Sequence, residues 1–139
     1  MGDAPRPLFV LAQGGGWERR FSATSLAAAA AAAGQPVDLA FFFAALDAWV
    51  GGRWDDAPPA AAAAPGGVSA ERLAELALPP LSSFLDDGRA AGRIRLYACS
   101  ASMQLLGLEP AAVQAKVDAI VGWSTFNRLM RGAERVVFF

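Results

Sequence analysis

Short apolar runs recur along the chain, with helical patterns between them. The runs at 8–12 and 37–43 are almost continuously hydrophobic, which is typical of parallel strands covered on both faces. The segment between them, 17–33, predicts a long helix. Three more strands are predicted at 94–99, 117–122 and 136–139. Further helices are predicted around 46–50, from Ser69, after Pro80, from Ser100, after Pro110 and over 123–132.

Five strands separated mainly by helices indicate parallel pairing through right-handed crossovers, because a tight hairpin cannot connect parallel neighbours. The predicted fold class is α/β, with three α/β/α layers around a five-stranded parallel sheet. A length of 139 residues predicts a single domain over 1–139. Residues 51–68 are rich in proline, alanine and glycine and predict an internal loop.

Composition removes several classes of function. The chain has no histidine, which excludes Ser-His-Asp catalysis and zinc sites built on imidazole. Its single cysteine, Cys99, can form neither an intrachain disulfide nor a four-thiolate metal cage, so the fold needs neither an oxidising compartment nor a structural metal. We therefore expect a cytoplasmic location. We also expect no metal and no cofactor. Residues 1–7 do not match a secretory signal.

Charge and hydropathy also argue against two kinds of partner. A formal net charge of −1 gives no broad attraction for nucleic acid or anionic lipid. The apolar stretch 22–50 is interrupted by polar residues and a proline at 34–38, so we expect a helix, a turn and a strand rather than a membrane span.

Ligands of such sheets bind where the carboxyl ends of the strands meet. The first candidate loop is Gly14, Gly15 and Gly16, whose amides and positive φ angles suit an anion, with Arg20 nearby to supply charge. It matches neither the dinucleotide nor the nucleotide-triphosphate fingerprint. A plain tight turn, and for Arg20 an exposed helix face, are the alternatives.

The second candidate loop contains Cys99, at a predicted strand end with Ser100 and Ser102 opening the next helix. Helix N-terminal amides favour the reactive thiolate and the small neighbours leave it accessible, so an open, reactive thiol is one of two alternatives that the position leaves open. A packed structural cysteine is the alternative. The third loop carries Thr125 just after a strand end, where it either caps the helix or binds a substrate oxygen.

The motif Cys99-Ser100-Ala101-Ser102-Met103-Gln104-Leu105-Leu106-Gly107 resembles the DsrE/DsrF-like, or peroxiredoxin-like, family. The later Gly-Trp-Ser-Thr-Phe turn at 122–126 and the Phe-rich run at 41–43 add to the likeness, whereas Ala101 and the alanine-rich segment near residue 60 depart from it. The resemblance implies strand order 4-3-2-1-5, with a flavodoxin-like 2-1-3-4-5 as the alternative. It also implies trimers or hexamers and a Cys99 that carries sulfane sulfur as a persulfide.

The resulting hypothesis is a sulfur carrier that exchanges sulfur with donor and acceptor proteins or with low-molecular-weight thiols. If the chain is an enzyme, it is a sulfur transferase that uses one cysteine. The alternative is a non-catalytic oligomeric interaction module with an unreactive Cys99. Peroxide reduction is disfavoured because the chain has no resolving cysteine.

Overall fold

A computed structural model describes residues 2–59 and 66–139. The strands are β1 (Leu8–Ala12), β2 (Val37–Phe41), β3 (Ile94–Cys99), β4 (Ala119–Val121) and β5 (Arg135–Phe138). The helices are α1 (Trp17–Ala32), α2 (Phe43–Val50), α3 (Ala70–Leu76), a 3-10 helix (Leu81–Leu85), α4 (Asp86–Ala90), α5 (Ser100–Leu105), α6 (Pro110–Gln114) and α7 (Trp123–Gly132).

The five strands form one parallel sheet, which confirms the predicted α/β class. Their order is β4-β3-β2-β1-β5, so the flavodoxin-like alternative is wrong. β2 lies at the centre, and β1 and β3 flank it. Consequently the loops after β2, β3 and β4 are neighbours at the carboxyl edge of the sheet, whereas the loop after β1 lies on the other side of β2.

Alternating strand residues divide the core between the two faces of the sheet. One set, with Val10, Leu39 and Leu96, packs together with the alanine-rich side of α1. The other set, with Phe9, Ala40 and Cys99, packs with α7. The buried alanines of α1 pack on this face together with residues of α2 and the 3-10 helix, and this face forms the larger core cluster.

Several boundaries differ from the sequence prediction. The second strand ends at Phe41 rather than 43, because Phe43 turns the chain into α2 with a left-handed φ of 42°. The fourth strand is only Ala119–Val121, since the Asp118 side chain accepts a hydrogen bond from the Leu96 amide (2.7 Å) just before it. The start of α3 is as predicted, with the Ser69 hydroxyl accepting from the Arg72 amide at 3.2 Å.

The predicted internal loop contains neither helix nor strand at 51–59 and 66–68, and its residues 60–65 lie outside the described part of the chain. The apolar stretch 22–50 forms part of α1, a turn, β2 and α2. Within 2–59 and 66–139, no helix combines the length and apolar character needed to cross a membrane.

Candidate functional site

Cys99 stands where β3 becomes α5. It is the last residue of the strand and the N-cap of the helix, with an extended backbone (φ −74°, ψ 119°). The Ser102 amide, in the first turn of α5, donates a hydrogen bond to the Cys99 Sγ atom at 3.4 Å. The sequence prediction of a cysteine at a strand end and helix start is therefore confirmed.

Of the two alternatives for this thiol, the open one is wrong and the packed one is confirmed. Only 1% of Cys99 is exposed. It belongs to the core cluster under α7, with buried partners Phe9, Leu11, Ala40, Phe42, Tyr97, Phe126 and Ala133. Its sequence neighbours are small, as predicted, but its cluster also contains aromatic side chains from β1, β3, α7 and the β2–α2 junction, which come together only in the folded sheet.

The two serines after Cys99 differ in their surroundings. Ser102 is fully buried, and its hydroxyl oxygen has no hydrogen-bond partner among the described residues. Ser100 is half-buried, and its hydroxyl oxygen lies 3.5 Å from where a Cβ atom on Gly122 would stand. The loops after β3 and β4 are therefore neighbours, and a Cβ atom on Gly122 would be in ordinary van der Waals contact with Ser100.

Thr125 lies in the first turn of α7 and is half-buried. The N-cap of α7 is Gly122, and no side chain caps the helix. The Thr125 amide donates to the Gly122 carbonyl at 3.1 Å, as part of the helical turn. The predicted capping role of the Thr125 hydroxyl is therefore wrong.

Three aromatic rings pack together near the carboxyl edge of the sheet, and they were not among the site residues predicted from the sequence. The ring of Phe42 lies 5.1 Å from that of Trp123 and 4.9 Å from that of Phe126, measured between centroids. Phe42 and Phe126 are buried, whereas Trp123 is 52% exposed. Phe42 and Trp123 each follow a strand end closely. This position indicates that they lie near Cys99 only once β2 and β4 are known to flank β3.

The glycine loop is not brought to Cys99, because β2 separates β1 from β3. The Gly14 amide donates to the Phe139 carbonyl at 3.2 Å, and Gly15 lies against Ala44, whose Cβ is 3.0 Å from where a Gly15 Cβ would be. Gly16 has a φ of −63°. Close packing explains Gly15, and none of the three glycines has the expected positive φ angle, so the tight turn describes this loop better than an anion site.

Arg20 is a buried structural residue, not an exposed one. Its guanidinium donates to the main-chain carbonyls of Gly15 (Nε, 2.9 Å), Arg53 (Nη1, 3.2 Å), Trp54 (Nη1) and Asp56 (Nη2, 2.9 Å). Burial lowers its pKa, and the charges of Asp56, Asp55 and Glu18 oppose this effect. Arg20 fastens the glycine loop to residues 53–56 on the α1 side of the sheet, whereas Cys99 packs on the α7 side.

Two further features bear on ligands. A cavity of about 420 Å³ beside the glycine loop is lined by Arg20, Ala44 and Asp47 among others, and Cys99 does not border it. Over 2–59 and 66–139, no three Cys, Asp or Glu side chains are grouped so that they could hold a metal ion.

A cluster of three polar side chains, Asp38, Arg95 and Tyr97, lies on the α7 side of the sheet near the amino-terminal half of the strands. Asp38 on β2 stands opposite Arg95 on β3, and the Arg95 guanidinium lies 5.4 Å from the centre of the Tyr97 ring. Burial raises the pKa of Asp38 above 3.8, while hydrogen bonding by Tyr97 and the charge of Arg95 partly oppose it. Burial, followed by the nearby Asp38 charge, raises the pKa of Tyr97 above 10.0.

The raised pKa of Asp38 predicts a pH-dependent effect of Asp38→Asn. The folded protein binds the Asp38 proton more tightly than the unfolded chain, so this carboxyl costs stability as pH rises from 3.8 through its folded pKa. Asp38→Asn should therefore be more stable than the wild type at neutral pH, and the difference should shrink on acidification. Urea denaturation across the acid to neutral range measures it. Asp86→Asn, at an exposed carboxylate, is the control, and equal pH profiles for the two variants would contradict the assignment.

Comparisons with known proteins add no identification. The chain matches no family model, and a search of the curated proteins gives no significant match. The resemblance to DsrE/DsrF-like proteins therefore depends on the cysteine motif and the 122–126 turn themselves.

Proposed function

We propose that this chain is a sulfur-carrier protein in which Cys99 accepts sulfane sulfur and passes it on. The observation that carries the proposal is the Ser102 amide directed at Sγ. This N–H group gives the sulfur a hydrogen-bond donor at the start of α5, and the proposed attack on a persulfide uses the thiolate form of the cysteine. The motif beginning at Cys99, with its resemblance to DsrE/DsrF-like proteins, indicates sulfane sulfur as the substrate.

The chemistry balances without an added oxidant or reductant. The Cys99 thiol releases its proton to solvent, and the thiolate attacks the outer sulfur of a donor persulfide. A new S–S bond forms on Cys99 while the donor S–S bond breaks, and the donor thiolate leaves with the electron pair and takes up a proton. In the second step an acceptor thiolate attacks the outer sulfur, and Cys99 leaves as a thiolate.

The burial of Cys99 sets a condition on this proposal. A reagent reaches the 1% exposed thiol only when the surrounding side chains move, so transfer needs local opening at the carboxyl edge. We propose protein donors and acceptors or low-molecular-weight thiols as partners. The cytoplasm is the proposed location, because it keeps a lone thiol reduced. A trimer or hexamer remains a proposal from the resemblance.

Intact-mass spectrometry tests the carrier function. After incubation with glutathione persulfide and removal of excess reagent, the wild type should gain the mass of one sulfur atom, and dithiothreitol should remove it. Cys99→Ser should gain nothing, because the chain has no other cysteine. If the wild type also remains unmodified at long incubation, while the same protein unfolded in urea becomes modified, Cys99 is not a carrier in the folded state.

A second candidate is an interaction module in which Cys99 is packed and unreactive. The specific observation for it is the burial of Cys99 within an apolar cluster. If Cys99 is packed and unreactive, iodoacetamide should label native Cys99 only as fast as the protein unfolds globally. Labelling much faster than global unfolding would instead reveal the local opening that the carrier needs.

A further inference from the structure

The rings of Phe42 and Trp123 meet although their strands are not neighbours. Phe42 directly follows β2, and Trp123 follows β4 after one residue, with β3 between the two strands. Strands two places apart in a sheet are separated by roughly 9–10 Å. The ring centroids are 5.1 Å apart, so the two side chains reach toward each other across the end of β3.

Cys99 lies at that end of β3. The parallel register pairs Cys99 with Val121 on β4 and pairs its predecessor Ala98 with Phe41 on β2. Cys99 and Phe42 belong to the same cluster on the α7 side. Phe42 is the inner ring of the pair, at 1% exposure, and Trp123 is the outer ring, at 52%.

We propose that Phe42 and Trp123 form an aromatic cover over Cys99, and that Trp123 is the part which moves to admit a sulfur donor or acceptor. This inference rests on the proposed carrier function, because it assigns the control of access to the same thiol. Trp123 is suited to be the moving part because half of its surface already faces solvent, whereas Phe42 and Phe126 are buried. Phe42 and Phe126 stay in place as the buried rings on which Trp123 packs in the closed state.

Ser102, which contacts the thiol, supplies an independent observation. Its amide binds the Cys99 sulfur, and its fully buried hydroxyl has no partner among the described residues. An unpartnered buried hydroxyl costs free energy, so such groups call for an explanation. The outer sulfur of a Cys99 persulfide would bring a new acceptor into the same helical turn. Ser102 thus provides a polar hydroxyl one helical turn from the thiol, within an otherwise apolar cluster.

The rate of alkylation of native Cys99 tests the cover. Trp123→Ala should raise the iodoacetamide rate by roughly tenfold, because the aromatic contact that keeps the thiol covered is lost. Trp123→Phe keeps a ring and should stay close to the wild type. The matched control is Trp49→Ala, since Trp49 is half-buried and stacks on Phe41 at 4.8 Å on the opposite face of the sheet. That variant should label at the wild-type rate.

Two results would overturn the cover. One is an unchanged rate in Trp123→Ala, and the other is equal acceleration in Trp123→Ala and Trp49→Ala, which would reflect general loosening. Glutathione persulfide is applied to the same proteins, so the two proposals fail separately. Sulfur uptake by the wild type with an unchanged alkylation rate in Trp123→Ala rejects the cover alone. Faster alkylation without sulfur uptake by any variant rejects the carrier function and keeps the cover.

Discussion

Arg20→Met should lower the free energy of unfolding by about 3–5 kcal/mol, because four main-chain carbonyls lose a charged donor in a buried setting. The methionine fills much of the volume of the arginine stem, so the loss reports mainly on hydrogen bonding. Chemical denaturation measures the change through the midpoint, with the slope expected to remain constant.

Neighbouring substitutions sharpen this test. Arg19→Met alters the preceding residue, whose side chain is exposed, and should change the free energy of unfolding by less than about 0.5 kcal/mol. Arg20→Lys should recover only part of the loss, because an ammonium group cannot reproduce the fork of guanidinium donors. If Arg20→Met is as mild as Arg19→Met, the guanidinium does not hold the glycine loop to residues 53–56 as described.

Phe126→Ala should destabilise the protein by about 3–5 kcal/mol, the cost typical of deleting a buried aromatic ring. Phe126 is fully buried and joins α7 to the sheet. Its ring meets those of Phe9 at 6.1 Å, Phe42 at 4.9 Å and Tyr97 at 6.3 Å. Because this one helix supplies Phe126, Leu129 and Met130 to the smaller core cluster, losing its central ring should weaken that whole face.

Denaturation of Phe126→Ala and of two comparison variants checks this prediction. Phe126→Leu should cost clearly less, since it leaves a smaller cavity. Phe138→Ala removes the same kind of ring from a position that is 63% exposed and should be nearly neutral. Similar losses for Phe126→Ala and Phe138→Ala would mean that α7 is not anchored through Phe126.

Local patterns were sufficient for most elements of the fold. The strands at Leu8–Ala12 and Ile94–Cys99 and the helix Trp17–Ala32 correspond closely to the sequence prediction, because continuous apolar runs and helical spacing are properties of neighbouring residues. Boundaries next to tertiary contacts were less predictable. The left-handed Phe43 ends the second strand early, and Asp118 shortens the fourth through a contact with β3.

The site was predictable only as positions along the chain. The sequence placed Cys99, Ser100 and Ser102 at a strand end and helix start, and this is where they lie. It also grouped Arg20 and the three glycines with them, which the fold does not do. The Arg20 side chain lies on the α1 side of the sheet, and β2 lies between the glycine loop and Cys99.

The amino-acid sequence by itself determined the α/β class, the strand and helix content and the junction at which the single thiol lies, because these depend on interactions between residues close together in the chain. The tertiary structure alone decided that this thiol is enclosed. Residues 42, 99 and 123 are far apart in sequence, and only the pairing of β3 between β2 and β4 brings the two aromatic rings together over the end of the strand that Cys99 terminates.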